Sequence, residues 1–173
     1  MHTPSDRTPA ETRFAEVFDH LPAVVAYARR RGSADPEALA AETMATAWRR
    51  LADVPRDEPR PWLLATARNL LWAEWRRASR RRPPDTPAVP DEALANGIDP
   101  DLERALLSLS RDEREAVLLV AWDDLSPALA ARCLGISATA FRVRLHRARR
   151  RLRAALADSD QNIEAADLEV GHA

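Results

Sequence analysis

Apolar residues recur every three to four positions along nearly the whole of this 173-residue chain, and one stretch rich in proline and acid interrupts that period. Spacing of this kind puts the apolar side chains on one stripe of an α-helix, whereas a half-buried strand would need strict alternation, of which no sustained run occurs. Phe14, Val17, Phe18 and Leu21 recur at i, i+3, i+4 and i+7 and read as one face of a first helix. Leu39, Thr43, Ala47, Trp48 and Leu51 read as another, starting near Asp35 with Pro36 in its first turn. Residues 62–82 read as a third, with Leu64, Ala67 and Leu71 on one stripe and Leu63 and Leu70 beside it. Three such helices bury their stripes only against one another, as a small bundle.

The interruption is PPDTPAVPDEALANGIDPD, poor in large apolar residues, as an extended linker is. Beyond it Leu102, Ala105, Leu106 and Leu109 resume the helical period, followed by a helix from about Arg111 to Trp122. Ser126 then reads as a helix cap with Pro127 at the first helical position, Gly135 as the helix end, and Ser137 as the cap of a long basic helix running through Arg153. A short helix, a glycine turn and a longer basic helix form a helix-turn-helix pattern. The fold class is therefore all-α, in two small helical domains. We place the first at residues 1–82, the acidic linker at 83–101, the second domain at 102–157 and an acidic tail at 158–173.

Net charge is −1, but the charges are segregated. Residues 132–153 hold eight Arg and no acid, and residues 68–82 hold six Arg against Glu74 alone, while the linker and the tail are acidic. Two basic faces on a nearly neutral chain are the footprint of a polyanion partner. In the long basic helix Phe141, Leu145, Ala148, Leu152 and Leu156 form a core-facing seam, and Arg142, His146, Arg149 and Arg153 fall on a separate stripe. A single Cys, Cys133, reads as a small buried apolar residue, and four scattered His give no metal-ligand spacing. Neither a cofactor motif nor a paired-carboxylate or nucleophile constellation is present, so we expect no enzyme and no cofactor or metal. Without a signal-peptide core or a membrane-length apolar run, the expected location is cytoplasmic, with no membrane insertion.

The segment LSRDEREAVLLVAWDDLSPALAARCLGISATAFRVRLHRARRRLRAAL resembles the fourth conserved region of extracytoplasmic-function sigma factors, with RVRLHRARRRL its most specific part. FAEVFDHLPAVVAYARRR, DPEALAAETMATAWRRL and RPWLLATARNLLWAEWRR resemble, in order, successive parts of that family's second region. The resemblance implies a promoter-specificity subunit whose first domain docks on the β′ clamp helices of core RNA polymerase and captures the melted minus-ten element. Its second domain would read the minus-thirty-five duplex of promoter DNA, and whether an anti-sigma factor is a further partner is left open.

Carried over by position, Glu37, Leu39, Glu42 and Trp48 match the polymerase-docking helix, and Asn69 matches a residue that helps hold a flipped minus-ten base. Arg142, Val143, His146 and Arg147 match groove-facing positions, and Arg144, together with Arg76 and Arg77 of the first basic face, is also expected on DNA. Leu39 and Trp48 are equally compatible with the bundle core. Trp62 reads as core, while Trp72 and Trp75 cannot both join Leu63 and Leu64 inside, which leaves one available to DNA. Arg151 is expected on phosphates. The sequence departs from the family pattern at Ala38, Ala41 and Met44 of the docking helix and at Ala128 of the helix-turn-helix. The rival reading is a helix-turn-helix regulator that acts without polymerase docking.

Overall fold

The computed structural model describes residues 8–81 and 98–170, with side chains as far as Asp158. Every regular element among them is a helix, and the chain divides into two compact units after Ala95. None of the described helices is long and apolar enough to cross a membrane. The expected linker lies outside the described residues except for its end. There Asp99 accepts hydrogen bonds from the N–H groups of Asp101 and Leu102 at 2.9 and 3.2 Å and caps a helix that already begins at Pro100.

The first unit holds α1 (Pro9–Phe18), α2 (Leu21–Arg30), α3 (Pro36–Arg49) and α4 (Pro59–Arg81). The single helix expected over Phe14–Leu21 is in fact two, because the chain turns at Asp19 and His20 and restarts with Pro22 in the first turn of α2. Proline lacks an N–H and crowds the preceding turn, so a helix running through position 22 would lose a bond and clash. Of the four residues expected on one face, only Val17 is buried, while Phe18 is 47% exposed. Helices α2, α3 and α4 pack on one another around Val24, Tyr27, Leu39, Met44, Leu63, Leu64 and Leu71.

Two polar ties set the frame of that bundle. The Arg13 guanidinium of α1 donates to the carbonyls of Leu51, at 3.0 Å, and Val54, fastening α1 to the loop between α3 and α4. Glu74 of α4 accepts from the Ser33 hydroxyl at 3.1 Å and the Ala34 N–H at 2.8 Å, which holds the entry to α3 against α4. The one acid in the first basic face is thus spent on structure.

The second unit holds α5 (Pro100–Leu107), α6 (Arg111–Ala121), α7 (Pro127–Leu134) and α8 (Ala138–Val170). Ser110 and Glu113 form a reciprocal capping box at the start of α6. Arg114 donates to the carbonyls of Leu106 and Leu109 at 2.8 and 3.1 Å, tying α6 to the end of α5 and the turn that follows it. Ser126 caps α7, and Gly135 ends it at φ +67°, a left-handed conformation that a residue with a Cβ adopts only at a cost. The Ser137 hydroxyl accepts the Ala140 N–H at 3.1 Å and starts α8. That helix rests on α5, α6 and α7 through Phe141, Leu145 and Ala148, all buried. Its backbone stays helical to Val170, well past Arg153, so the segment expected as a tail continues α8; side chains beyond Asp158 lie outside the described residues. Cys133 is buried in α7.

Candidate nucleic-acid interface

Helix α8 turns about 100° per residue, so the buried line of Phe141, Leu145 and Ala148 fixes which side chains point away from the domain. Opposite that line lie Val143 and Arg150, with His146 and Arg147 beside them, and all four are exposed. Arg142, Arg149 and Arg153 run along one flank, also exposed. Arg144 and Arg151 occupy the other flank, which faces α6.

The two flanks differ electrically. The Arg144 guanidinium lies 3.3 Å from the Asp112 carboxylate, with only 28% of its side chain exposed, and Arg151 donates to Glu113 at 2.7 Å. Both acids stand in the first turn of α6, where the helix dipole also favours them. Burial of the Glu113 carboxyl on its own would raise its pKa. The hydroxyl and N–H of Ser110 and the Arg151 guanidinium outweigh burial and hold it below the ordinary carboxylate value. Among the described residues Arg142, Arg147, Arg149, Arg150 and Arg153 have no such partner. Arg144 and Arg151, expected on DNA and on phosphates, are therefore turned toward protein acids, while Arg142, Arg149 and Arg153 on the opposite flank have no ion pair among the described residues.

On α4, Asn69, Arg76 and Arg77 are all exposed. No tryptophan of this helix is fully buried. Trp62, expected in the core, is half-buried with the Arg50 guanidinium 5.8 Å above its ring, because the interior stripe is filled by Leu63, Leu64, Ala67 and Leu71. Trp72 lies under Arg68 at 3.5 Å, and Trp75 is half-buried.

On α3, Glu37 is exposed and paired with Arg29 at 2.6 Å, and Glu42 is exposed. Leu39 is buried, so it supports the surface from beneath. Trp48 is 46% exposed and meets the Phe14 ring edge-on at 5.0 Å. A shallow depression lined by Ala38, Leu39, Glu42, Leu70, Glu74 and Arg77 places Glu42 and Arg77, expected in different roles, at one spot between α3 and α4.

Sequence reasoning did not find the arginine–acid pairs across α6 and α8, nor the ring cluster of half-buried Phe14 with exposed Phe18 and Trp48. Ser110 followed three residues later by Glu113 was a readable capping signal that fixes where α6 starts. The pairs needed the crossing of two helices and had no such signal.

The chain matches Sigma-70 region 2 over residues 17–81 and Sigma-70, region 4 over residues 100–152. A probable RNA polymerase sigma factor RfaY of Xanthomonas campestris pv. campestris is 35% identical over 145 residues, 75% of this chain and 36% of that protein. The RNA polymerase sigma-E factor of Streptomyces avermitilis is 33% identical over 101 residues, 56% of each chain. The chain thus spans between about a third and just over half of the length of these relatives. Among solved structures, the sigma factor RpoE in complex with the anti-sigma factor NepR from Bartonella quintana is 27% identical with a TM-score of 0.62, covering 82% of this chain and 94% of that one. CnrH, solved with the cytosolic domain of CnrY, is 28% identical with a TM-score of 0.60, covering 85% and 88%. With each helical unit matched in order to its own sigma-70 region, the chain belongs to the sigma factor family, in its extracytoplasmic-function branch.

Proposed function

We propose that the protein is a promoter-specificity subunit that binds core RNA polymerase and directs transcription initiation, and that it contributes no catalysis of its own. The observation that carries this reading is the exposed cationic face of α8, set behind the Gly135 turn, on a chain that also holds a region 2 unit. A helix of this width fits the major groove, where Arg donates two hydrogen bonds to a guanine edge and neighbouring Arg hold phosphates. Docking on the polymerase clamp helices is assigned to α3, through Glu37, Glu42 and Trp48 with Leu39 beneath them. Capture of the minus-ten strand is assigned to the exposed side of α4, with Asn69 on the unpaired base and Arg76 and Arg77 on the backbone. Residues 1–82, 83–101 and 102–157 would act as docking domain, linker and duplex reader.

Work on promoters places the protein in the cytoplasm, and an anti-sigma protein is a reasonable further partner because both structural neighbours were solved with another protein bound. A regulator acting without polymerase would leave the region 2 match without a purpose. Run-off transcription with core enzyme of the source organism tests the proposal: a promoter-specific product that depends on this chain is expected. Absence of any such product across the host's promoter fragments would refute it.

A further inference from the structure

We propose that Val143 is a specificity-determining contact, reading one thymine of the minus-thirty-five duplex through its C5-methyl group; the inference rests on the promoter-reading function above. Val143 is 46% exposed. It stands almost opposite the buried seam of α8, on the line that includes Arg150, and is bracketed by the exposed Arg142, His146 and Arg147. It is also the sixth residue of the helix, and the first turns of a recognition helix are the part that reaches base edges.

An apolar, β-branched side chain at the crest of a cationic face needs a particular occupant. A protein partner bound by apolar contact would require a wider apolar patch, and the helical neighbours of Val143 are Thr139, Arg142, Arg144, His146 and Arg147, with the small Ala140 the one apolar side chain among them. The same neighbours suit a polyanion, since residues 132–153 contain no acid. Within the major groove the donors and acceptors of the base edges match Arg and His, and the one apolar feature is the thymine methyl. Val143 has a single strongly preferred rotamer in a helix, so its two methyls are held in place before DNA arrives and lose little freedom on contact. Arg142 and Arg147 on either side would set the register of that contact.

The test uses the full chain with core polymerase on a promoter the holoenzyme recognises. Each thymine of the minus-thirty-five element, on either strand, is replaced in turn by deoxyuridine, which removes only the methyl. At one position uracil should weaken wild-type binding about fourfold, the order expected for one buried methyl. Val143→Ala should lose a similar factor on the thymine promoter and lose nothing further on that uracil promoter. Losses that add, or wild-type binding indifferent to uracil at every position, would overturn the assignment while leaving the promoter-reading function intact. Failure of every variant and the wild type to bind any promoter would overturn both. Because Val143 is exposed, the variant should unfold at the wild-type temperature, and an equal fold-loss on all promoters, thymine or uracil, would mark a purely structural effect and likewise count against the assignment.

Discussion

The pairing of Arg144 and Arg151 with α6 makes a quantitative demand on how DNA binding responds to salt. Each phosphate neutralised by a cation contributes about 0.9 to the slope of log affinity against log salt. Between 50 and 200 mM salt, one contact of this kind therefore accounts for a change of about 3.5-fold in affinity. Arg149 and Arg153, exposed and without an ion pair among the described residues, are placed to make such contacts; Arg149→Ala and Arg153→Ala should each lower the slope of holoenzyme binding by about 0.9. Arg151 bears the same charge on the same helix, two residues from each of them. Its guanidinium is held at 2.7 Å by a Glu113 carboxylate that is only 10% exposed and is bonded to Ser110 as well.

Release of Arg151 to a phosphate would leave that carboxylate without its cation. Arg151→Ala should accordingly leave the salt slope unchanged and cost the domain about 0.5 to 1 kcal/mol, a small figure because 60% of the Arg151 side chain is in water. Binding titrations of the three variants over four salt concentrations, fitted for slope, decide the matter. A slope reduced as much by Arg151→Ala as by Arg149→Ala would show that DNA competes successfully for Arg151, and the electrical asymmetry of α8 would then be no guide to its docking.

Glu113→Gln should destabilise α6 and α8 by about 1 kcal/mol at neutral pH, since the amide keeps an acceptor for Ser110 but loses the charge facing Arg151. The folded pKa of Glu113 lies below its ordinary value of 4.5, so its contribution is present above that value and fades as pH falls through the lowered one. Amide hydrogen exchange of the full chain should then show wild type and variant converging in acid; a gap that persists there would contradict the assignment. Gly135→Ala should cost about 1 to 2 kcal/mol through the φ of +67° alone, because a Cβ there meets nothing within 4 Å. Gly135→Asn should recover part of that loss in thermal unfolding of the second unit, followed through Trp122. Asn69→Ala should spare binding to duplex promoter DNA and slow strand opening, measured by permanganate footprinting over time, and an unchanged opening rate would remove Asn69 from the reading. Glu42→Arg should weaken binding to core polymerase by a factor of ten or more while leaving far-ultraviolet circular dichroism unchanged, as expected for an exposed charge reversed at an interface.

Much of the fold could be read in the chain because its signals are local. The apolar stripe of α8, the Ser126 and Ser137 caps and the Gly135 turn each depend on residues within one or two turns; the caps and the turn are present, and the stripe is buried at Phe141, Leu145 and Ala148 and half-buried at Leu152 and Leu156. The first helix is two rather than one because Phe14, Val17, Phe18 and Leu21 keep the period across a break that only Pro22 announces. Residues at the candidate site were legible in their exposure more than in their pairing. Arg142, Val143, His146 and Arg147, expected from the resemblance, are all exposed and turned away from the buried seam. Arg144 differs from Arg147 only in facing an acid on α6, a neighbour more than thirty positions earlier that no short window contains. Leu39 and Trp48 were left undecided by period alone, and burial separates them: Leu39 is inside, Trp48 outside.

Helices α1, α3, α4, α5 and α7 each begin on a proline. In a chain rich in Ala, Leu and Arg, all strong helix formers, the hazard is excess helix: α6 and α7 could merge into one rod across Asp123–Ser126, and α2 and α3 across the Gly32 turn. A proline at the start of each successor disfavours helical backbone in the residue before it, so the rod cannot form without losing a bond and clashing. The prolines thereby act as fixed stops that keep each helix in phase. A one-residue shift in the start of α7 would rotate its buried Ala130, Ala131 and Cys133 away from α8. The aim of the reading face is thus set at residue 127, upstream of every side chain assigned to DNA in the second unit.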